Sequence, residues 1–296
     1  MRSYNILILL NYNDYEDTLK FVNEHSNLKE LNKIIVVDNC SLDNSYFILQ
    51  NIFKNNNKID IIQSSNNGGY SSGNNFGIKY ALKNYKPDNF IIANPDTRID
   101  YQNFNGFMRT VYHLTNTYPN RLGIVAPMTV SLKTSDVNVG WKQPNILDDI
   151  ISNLMVMNKI KRKFIFKKRK YNKDYIKIDV VLGAFFLVTA KSIIDVGLFD
   201  DQTFLYCEEN ILSFKLKKKG YKNFVDLHTC YYHNHNYDRS VFQDLSAFWE
   251  LNRSEQIYHS KYLKINNFQK FIFATSIFIG FLERIVYFKF KDKNWK

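Results

Sequence analysis

Most of the groups in this 296-residue chain that could do chemistry stand at the ends of apolar runs. Phe90 to Ala93 reads as a buried strand that stops at Asn94-Pro95-Asp96, because Pro95 has no amide hydrogen to give a ladder. A carboxylate just past the C-terminal end of such a strand stands where open α/β sheets bind ligands. Asn-Pro-Asp-Thr is also good turn chemistry, so the stretch alone allows both readings. Asp38-Asn39 closes a second run, Ile34 to Val37, and Asn11-Tyr12-Asn13 closes a third, Ile6 to Leu10. Glu208 and Glu209 precede an amphipathic pattern, Ile211 to Lys218. Acids there either complement a helix dipole or supply a general base from the helix start. His233 and His235 follow Tyr231-Tyr232 near a strand end, where a lone histidine would be structural and a pair points toward a ligand.

The elements that must position these groups follow from the apolar pattern. Runs of four or five continuous apolar residues fit strands buried on both faces of a parallel sheet. Ile59 to Gln63 adds a short strand, and helical spacing over Tyr15 to Leu31 and Tyr46 to Phe53 separates the first three. This β-α-β-α alternation implies right-handed crossovers and gathers the polar strand ends on one sheet edge. Between Gln63 and Phe90 lies Asn66-Asn67-Gly68-Gly69-Tyr70-Ser71-Ser72-Gly73-Asn74-Asn75-Phe76-Gly77, then a helical pattern from Ile78 to Leu82. Glycines opening a helix let amides approach an anion, whereas glycines in unusual dihedrals are the structural alternative. The stretch is neither G-x-G-x-x-G nor a P-loop. Leu122 to Met128 reads as a later strand, and Ile178 to Val181 leads into the run Leu182 to Val188. Thr129 to Tyr175 reads as irregular apart from a helical piece near Ile146 to Met157.

Hydrophobic content of 45% and aromatic content of 16% describe a globular protein. A net charge of +12 favours an anionic partner: nucleic acid, a phosphate-bearing substrate or a lipid surface. No nucleic-acid-binding module is recognisable, which leaves charge alone for that reading. Lys159 to Lys173 is a dense basic run interrupted by Phe164, Ile165 and Phe166, read either as a solvated face or as an anionic-membrane contact. Three cysteines without a C-x-x-C pair argue against a disulfide framework or zinc site and fit a reducing cytosol. The first apolar run is too short for a signal-peptide core, so the catalytic part is expected on the cytoplasmic side. The tail from Phe242 is expected to be helical. Its uninterrupted apolar part, Phe271 to Leu282, falls short of the roughly 20 residues of a span, so an interfacial or packed helix is expected.

Taken together, the chain resembles the family 2 glycosyltransferases of the GT-A fold, nearest to their rhamnosyltransferase-like branch. The resemblance rests on Asn11-Tyr12-Asn13, Val36-Val37-Asp38-Asn39, Asn67-x-Gly69 with Gly73-Asn74-Asn75-x-Gly77, and Asn94-Pro95-Asp96. It continues through Gly183-Ala184-Phe185-Phe186-Leu187, Gly197-Leu198-Phe199-Asp200, Phe204-Leu205-Tyr206-x-Glu208-Glu209 and Tyr232-His233, spanning about Ile6 to His235.

The resemblance implies an α/β, Rossmann-like nucleotide-binding domain with a mainly parallel central sheet over residues 1–240, and a C-terminal helical extension over 241–296. It implies an inverting, metal-dependent hexosyltransferase using dTDP-rhamnose or a UDP-hexose, and acting on a surface polysaccharide or lipid-diphosphate-linked glycan. Asn11, Tyr12, Asn13, Asp38, Asn67, Gly69, Gly73, Asn74, Asn75, Asn94, Asp96, Gly183 and Ala184 would bind the nucleotide sugar. Asp96 and His233 would hold Mn2+ or Mg2+. Glu209 stands where the family keeps its catalytic Asp, with Glu208 as the neighbouring candidate base, and Ile211 replaces a further family acid. The expected location is peripheral to the inner face of the cell membrane, against an anionic surface and without nucleic acid; a homodimer is allowed. The rival from another class is a non-catalytic nucleotide-sugar or glycan-binding module. A dinucleotide-dependent oxidoreductase or a methyltransferase is disfavoured, since Asn11-Tyr12-Asn13 replaces G-x-G-x-x-G after the first strand.

Overall fold

The computed structural model describes residues 3–131, 136–157, 173–233 and 240–291; Lys159 to Lys170 of the basic run, Asn234 and His235 lie outside them. The chain divides into two compact units, Met1–Lys142 with Lys173–His235, and Gln143–Asn172 with Asn236–Lys296.

In the first unit, β1 (Asn5–Asn11), β2 (Lys33–Asp38), β3 (Ile59–Gln63) and β4 (Asn89–Ala93) are parallel in the order β3-β2-β1-β4. All six residues of β2 and all five of β4 are buried, as continuous apolar runs require of a sheet covered on both faces. Alternation then sorts the side chains. Leu7, Leu9, Ile34, Val36 and Ile91 pack on one face with Phe21, Leu49 and Phe104. Ile6, Ile8, Ile35, Val37, Phe90 and Ile92 pack on the other with Ile78 and Leu212. The covering helices include α1 (Tyr15–His25), α2 (Ser45–Phe53), α3 (Gly69–Asn84) and α4 (Tyr101–Thr117).

Beyond β4 the sheet departs from the parallel series. β9 (Phe185–Thr189) runs antiparallel between β4 and β6 (Leu122–Ser131), and β10 (Lys222–His233) lies parallel to β6. The two-residue β5 (Thr97–Arg98) pairs with the far end of β10, β7 (Val137–Asn138) with β6, and β8 (Tyr175–Ile178) with β10. β1 leads outward to β2 and β3, and the chain then returns to place β4 on the other side of β1. The strand order therefore reverses between β1 and β4, the position where open α/β sheets hold their ligands. α6 (Ala190–Asp195) and α7 (Glu208–Lys218) complete this unit's helices.

The second unit consists of α5 (Ile146–Asn153), α8 (Val241–Ile257), a π-helical turn (Tyr258–Leu263) and α9 (Asn267–Lys291). Its core is Phe248, Phe273 and Ile277, with Ile146, Ile150 and Phe281 packed against them. Buried His259 meets Asp149 at 2.7 Å. α9 continues through Glu283 and Arg284, where the sequence pattern suggested an interruption. Both side chains find local partners: Glu283 accepts from the Met155 amide, and Arg284 donates to the Asn153 carbonyl. By length and composition the helix from Asn267 to Phe290 could cross a membrane.

Candidate functional site

The C-terminal ends of β1 and β2 form one wall. Asp38 is fully buried, and its carboxylate accepts from Asn11 Nδ2 at 2.8 Å, Ser41 Oγ at 2.6 Å, the Ser41 amide at 3.0 Å and Gln63 Nε2 at 3.0 Å. Asn11 in turn accepts from Thr18 Oγ1. With two donors on each oxygen, Asp38 orders the wall, and contact with a ligand there would require one of these donors to be exchanged. Asn13, at φ 52°, turns its side-chain oxygen to the Leu42 and Asp43 amides and pins the loop after β2. Tyr12 is exposed beside it.

The glycine-rich stretch is helical from Gly69 onward, earlier than the apolar pattern indicates. The reason lies in the spacing: Gly69, Gly73 and Gly77 recur every four residues and share one helix face. A Cβ at Gly77 would lie 2.7 Å from Val37 Cγ2 and 2.8 Å from Ile8 Cγ2, and one at Gly73 would strike Leu10 and Asn39. These glycines bring α3 against β1 and β2. Gly69, at φ +82°, also has the Phe204 carbonyl where a Cβ would go. The neighbouring amides fasten the loops: Asn39 Nδ2 donates to Asn67 Oδ1 at 2.8 Å, and Asn75 brackets Phe199 with both side-chain atoms. Asn74 is fully buried; its amide donates to the Tyr70 carbonyl.

At the end of β4, the Asn94 amide donates to the Ala184 carbonyl at 2.9 Å, and the Asn94 carbonyl accepts from Thr97, closing the turn that Pro95 shapes. That turn feeds β5, and β5 pairs with β10 so that Thr97 lies opposite His233. Asp96 Oδ2 and His233 Nε2 thereby stand 3.1 Å apart. Residues 137 positions apart in the chain are thus brought together by a two-residue strand. Asp96 also adds negative charge near Asp14, whose carboxyl is pushed up by burial first, then by Asp17 and Asp96.

Glu209 sits in the first turn of α7. The two residues before that turn's start, Tyr206 and Cys207, adopt φ 68° and 67°, an uncommon conformation for side chains of their size. Glu209 Oε1 accepts from the Gly183 amide at 3.0 Å, and Tyr70 donates to the Gly183 carbonyl at 2.6 Å. Burial pushes the Glu209 carboxyl above the ordinary glutamate range, while hydrogen bonds from backbone amides, Gly183's included, oppose the shift. Buried Glu208 lies beside it. Adjacent residues Gly183 and Ala184 join the two halves of the site: the Ala184 carbonyl accepts from the Asn94 amide, and the Gly183 amide donates to Glu209. Tyr231, fully buried, feels the charges of both Glu209 and Asp96 and accepts from Thr129 at 2.7 Å.

A Cβ at Gly183 would meet Glu209 Oε1 at 2.5 Å and Cγ at 2.9 Å. Gly183→Ala is therefore expected to displace the carboxylate. Misplacement of a catalytic group by about 1 Å can cost ~10²-fold, and a fall of roughly that factor in turnover is the outcome expected where this carboxylate does chemistry. Steady-state kinetics on the variant would check the loss of kcat.

The donor set fits a hard divalent cation. A carboxylate oxygen and an imidazole nitrogen at 3.1 Å offer two ligands, and Mg2+ or Mn2+ in phosphate-transfer sites takes the remainder from phosphate oxygens and water. Among the described residues no three His, Cys, Asp or Glu side chains form a metal cluster. Sequence reasoning missed Tyr70, Tyr231, Ser41, Gln63 and Trp141, whose Nε1 donates to Asn210 at 2.9 Å beside Glu209. Tyr70, Tyr231 and Gln63 stood inside stretches already singled out; Ser41 and Trp141 carried no such signal.

An open sheet with this strand order, a carboxylate–imidazole pair at the end of β4 and β10, and a glutamate held at a helix start define a GT-A glycosyltransferase fold. Solved structures agree. GalNAc-T7 with UDP, GalNAc and Mn2+ superposes with TM-score 0.59 at 12% identity, over 99% of this chain and 58% of that one. The mannosyltransferase PcManGT from Pyrobaculum calidifontis, with GDP-Man and Mn2+, gives TM-score 0.59 at 10% identity, over 99% of this chain and 77% of that one. The chain thus spans little more than half the length of GalNAc-T7. Residues 6–97 match the model of glycosyl transferase family 2. The low-salt glycan biosynthesis hexosyltransferase Agl10 of Haloferax volcanii is 24% identical over 285 residues, 95% of this chain and 78% of that protein. The rhamnosyltransferase WbbL of Escherichia coli K12 is 26% identical over 252 residues, 83% of this chain and 89% of that protein. These matches support a family 2 glycosyltransferase, and the chain is similar to its rhamnosyltransferase-like members.

Proposed function

We propose that this glycosyltransferase inverts configuration in a single displacement, moving a sugar from dTDP-rhamnose or a UDP-hexose to a surface polysaccharide or lipid-linked glycan. The observation that carries the reading is the Asp96–His233 approach at 3.1 Å, with Glu209 tied to the adjoining backbone through Gly183. Asp96 and His233 would hold Mn2+ or Mg2+, whose charge offsets that developing on the departing diphosphate. Glu209 accepts the proton of the acceptor hydroxyl as its oxygen attacks the anomeric carbon, and a pKa raised by burial suits a base working near neutral pH. Glu208, buried beside it, supports that carboxylate or stands in for it.

The nucleoside lies against Asn11, Tyr12, Asn13 and Asp38, with Gln63 or Ser41 yielding a hydrogen bond to it. Asn67, Gly69, Gly73, Asn74 and Asn75 shape the neighbouring wall, while Asn94, Gly183 and Ala184 border the donor sugar. The relatives named for glycan hexosyl and rhamnosyl transfer support this acceptor class. The enzyme works at the cytoplasmic face of the membrane, where a lipid-diphosphate acceptor is presented.

A screen of nucleotide sugars against the purified protein, with and without Mn2+, tests the proposal. One donor class should raise the melting temperature only with Mn2+ and be turned over. Stabilisation by a donor without any turnover, even with acceptor lipid supplied, would favour the non-catalytic binding module instead.

A further inference from the structure

The two faces of α9 are unlike. Phe273, Ser276, Ile277 and Gly280 are buried, and Arg284 lies over the Phe248 ring at 3.8 Å while donating to the Asn153 carbonyl. Ser276 also takes a hydrogen bond from Asn153 Nδ2 at 3.2 Å. At about 100° per residue, the opposite arc carries Phe268, Phe271, Ile272, Thr275, Phe278, Ile279, Leu282, Val286, Lys289 and Phe290. All ten are exposed, and only Thr275 and Lys289 among them are polar. Phe268, Phe271, Phe278 and Phe290 are each more than 60% exposed. At 1.5 Å per residue the stripe is roughly 33 Å long, far more apolar surface than a soluble helix leaves open without a partner.

Charge identifies the partner. The stretches 143–172 and 236–296, which make up this unit, contain 18 Lys and Arg against 8 Asp and Glu, or +10 of the chain's +12. Two copies of a unit with so basic a sequence repel one another, which disfavours a second copy as the occupant. An anionic lipid leaflet offers both what the stripe needs and what the charge attracts.

We propose that α9 lies in the plane of an anionic leaflet, with the Phe268-to-Phe290 stripe inserted among the acyl chains and the Ser276–Gly280–Arg284 face kept on its own unit. The helix has the length and apolarity of a span, but crossing the bilayer would strip Ser276, Glu283 and Arg284 from partners on residues 153 and 155 and leave those groups in hydrocarbon. The inference deepens the membrane reading above and is independent of the donor chemistry.

The test is vesicle flotation of the full chain with phosphatidylcholine vesicles, with and without phosphatidylglycerol. The anionic vesicles should bind at least tenfold more tightly, less so in high salt. The triple variant Phe271→Ser, Phe278→Ser, Leu282→Ser should lose at least tenfold of that affinity. Its nucleotide affinity in solution, measured by calorimetry, should be unchanged, which separates a failure here from a failure of the glycosyltransferase reading. Fluorescent labels on single cysteines at 271, 275, 278, 282 and 286 should report one shallow depth. Depth increasing toward the bilayer centre along the helix, binding to neutral vesicles that the triple variant retains, or a vesicle-indifferent dimer broken by the triple variant would each overturn the proposal.

Discussion

Asp96→Asn is expected to lower both sugar transfer and slow donor hydrolysis by about 10²–10³-fold, the range seen when one charge-stabilising contact to a transition state is removed. The asparagine keeps the size of the side chain and can stay beside His233, 3.1 Å away, so the turn and its pairing with β10 should survive. What it loses is the negative charge with which the proposed site would attract a divalent cation, a neutral amide being much the poorer ligand. The direct readout is calorimetry. Nucleotide diphosphate affinity of the original protein should rise when Mn2+ replaces EDTA, whereas the variant should bind equally weakly in both. His233→Ala should show the same pattern to a smaller degree, since the carboxylate remains. Full transfer activity with an undiminished Mn2+ response in Asp96→Asn would remove Asp96 from the metal role.

That Asp96 could be singled out from its strand end, while His233 reached it only through the family resemblance, has a physical cause. Strand ends advertise themselves locally: continuous apolar runs give β1, β2 and β4, and a proline after the last of them gives the turn. The contact with His233 depends on β5, only two residues long, finding β10 on the other side of the sheet. Nothing in a dipeptide announces such a pairing. The same limit applies to β9, which enters antiparallel between β4 and β6 and places Gly183 and Ala184 beside Asn94. The glycine motif was visible as a motif, but its meaning lay in the four-residue spacing that seats α3 on the sheet. Asp38 was visible as a strand-end carboxylate. Its four internal hydrogen bonds come from residues spread between 11 and 63. In the second unit, the amphipathic piece near residue 146 was legible as a helix, yet its packing partners stand about a hundred residues later.

In the proposed mechanism, Glu209→Gln separates base catalysis from everything else the site does. The amide oxygen can still accept from the Gly183 amide, now at 3.0 Å, so the cradle built by Gly183, Tyr70 and the left-handed turn at Tyr206 and Cys207 should persist. Proton removal from the acceptor is lost, and transfer should fall by about 10²–10⁴-fold, the usual worth of a general base. Affinity for the nucleotide should not change. Glu208→Gln serves as the comparison: if it loses more activity than Glu209→Gln, the base is Glu208. The pH dependence follows from burial. The Glu209 carboxyl is held above the ordinary glutamate range because its charged form is desolvated, and the base works only when ionised. Transfer by the original enzyme should therefore decline as pH falls through that raised pKa, at a higher pH than an exposed glutamate would give, and Glu209→Gln should lack this limb. The same shift has a sign for stability. A carboxyl whose folded pKa exceeds its unfolded one binds more protons when folded, so it costs stability as pH rises through that window. At pH 7 to 8 the neutral glutamine should melt no lower than the original protein, although it has lost most of its activity. A variant that is both inactive and markedly less stable would instead assign Glu209 a structural role.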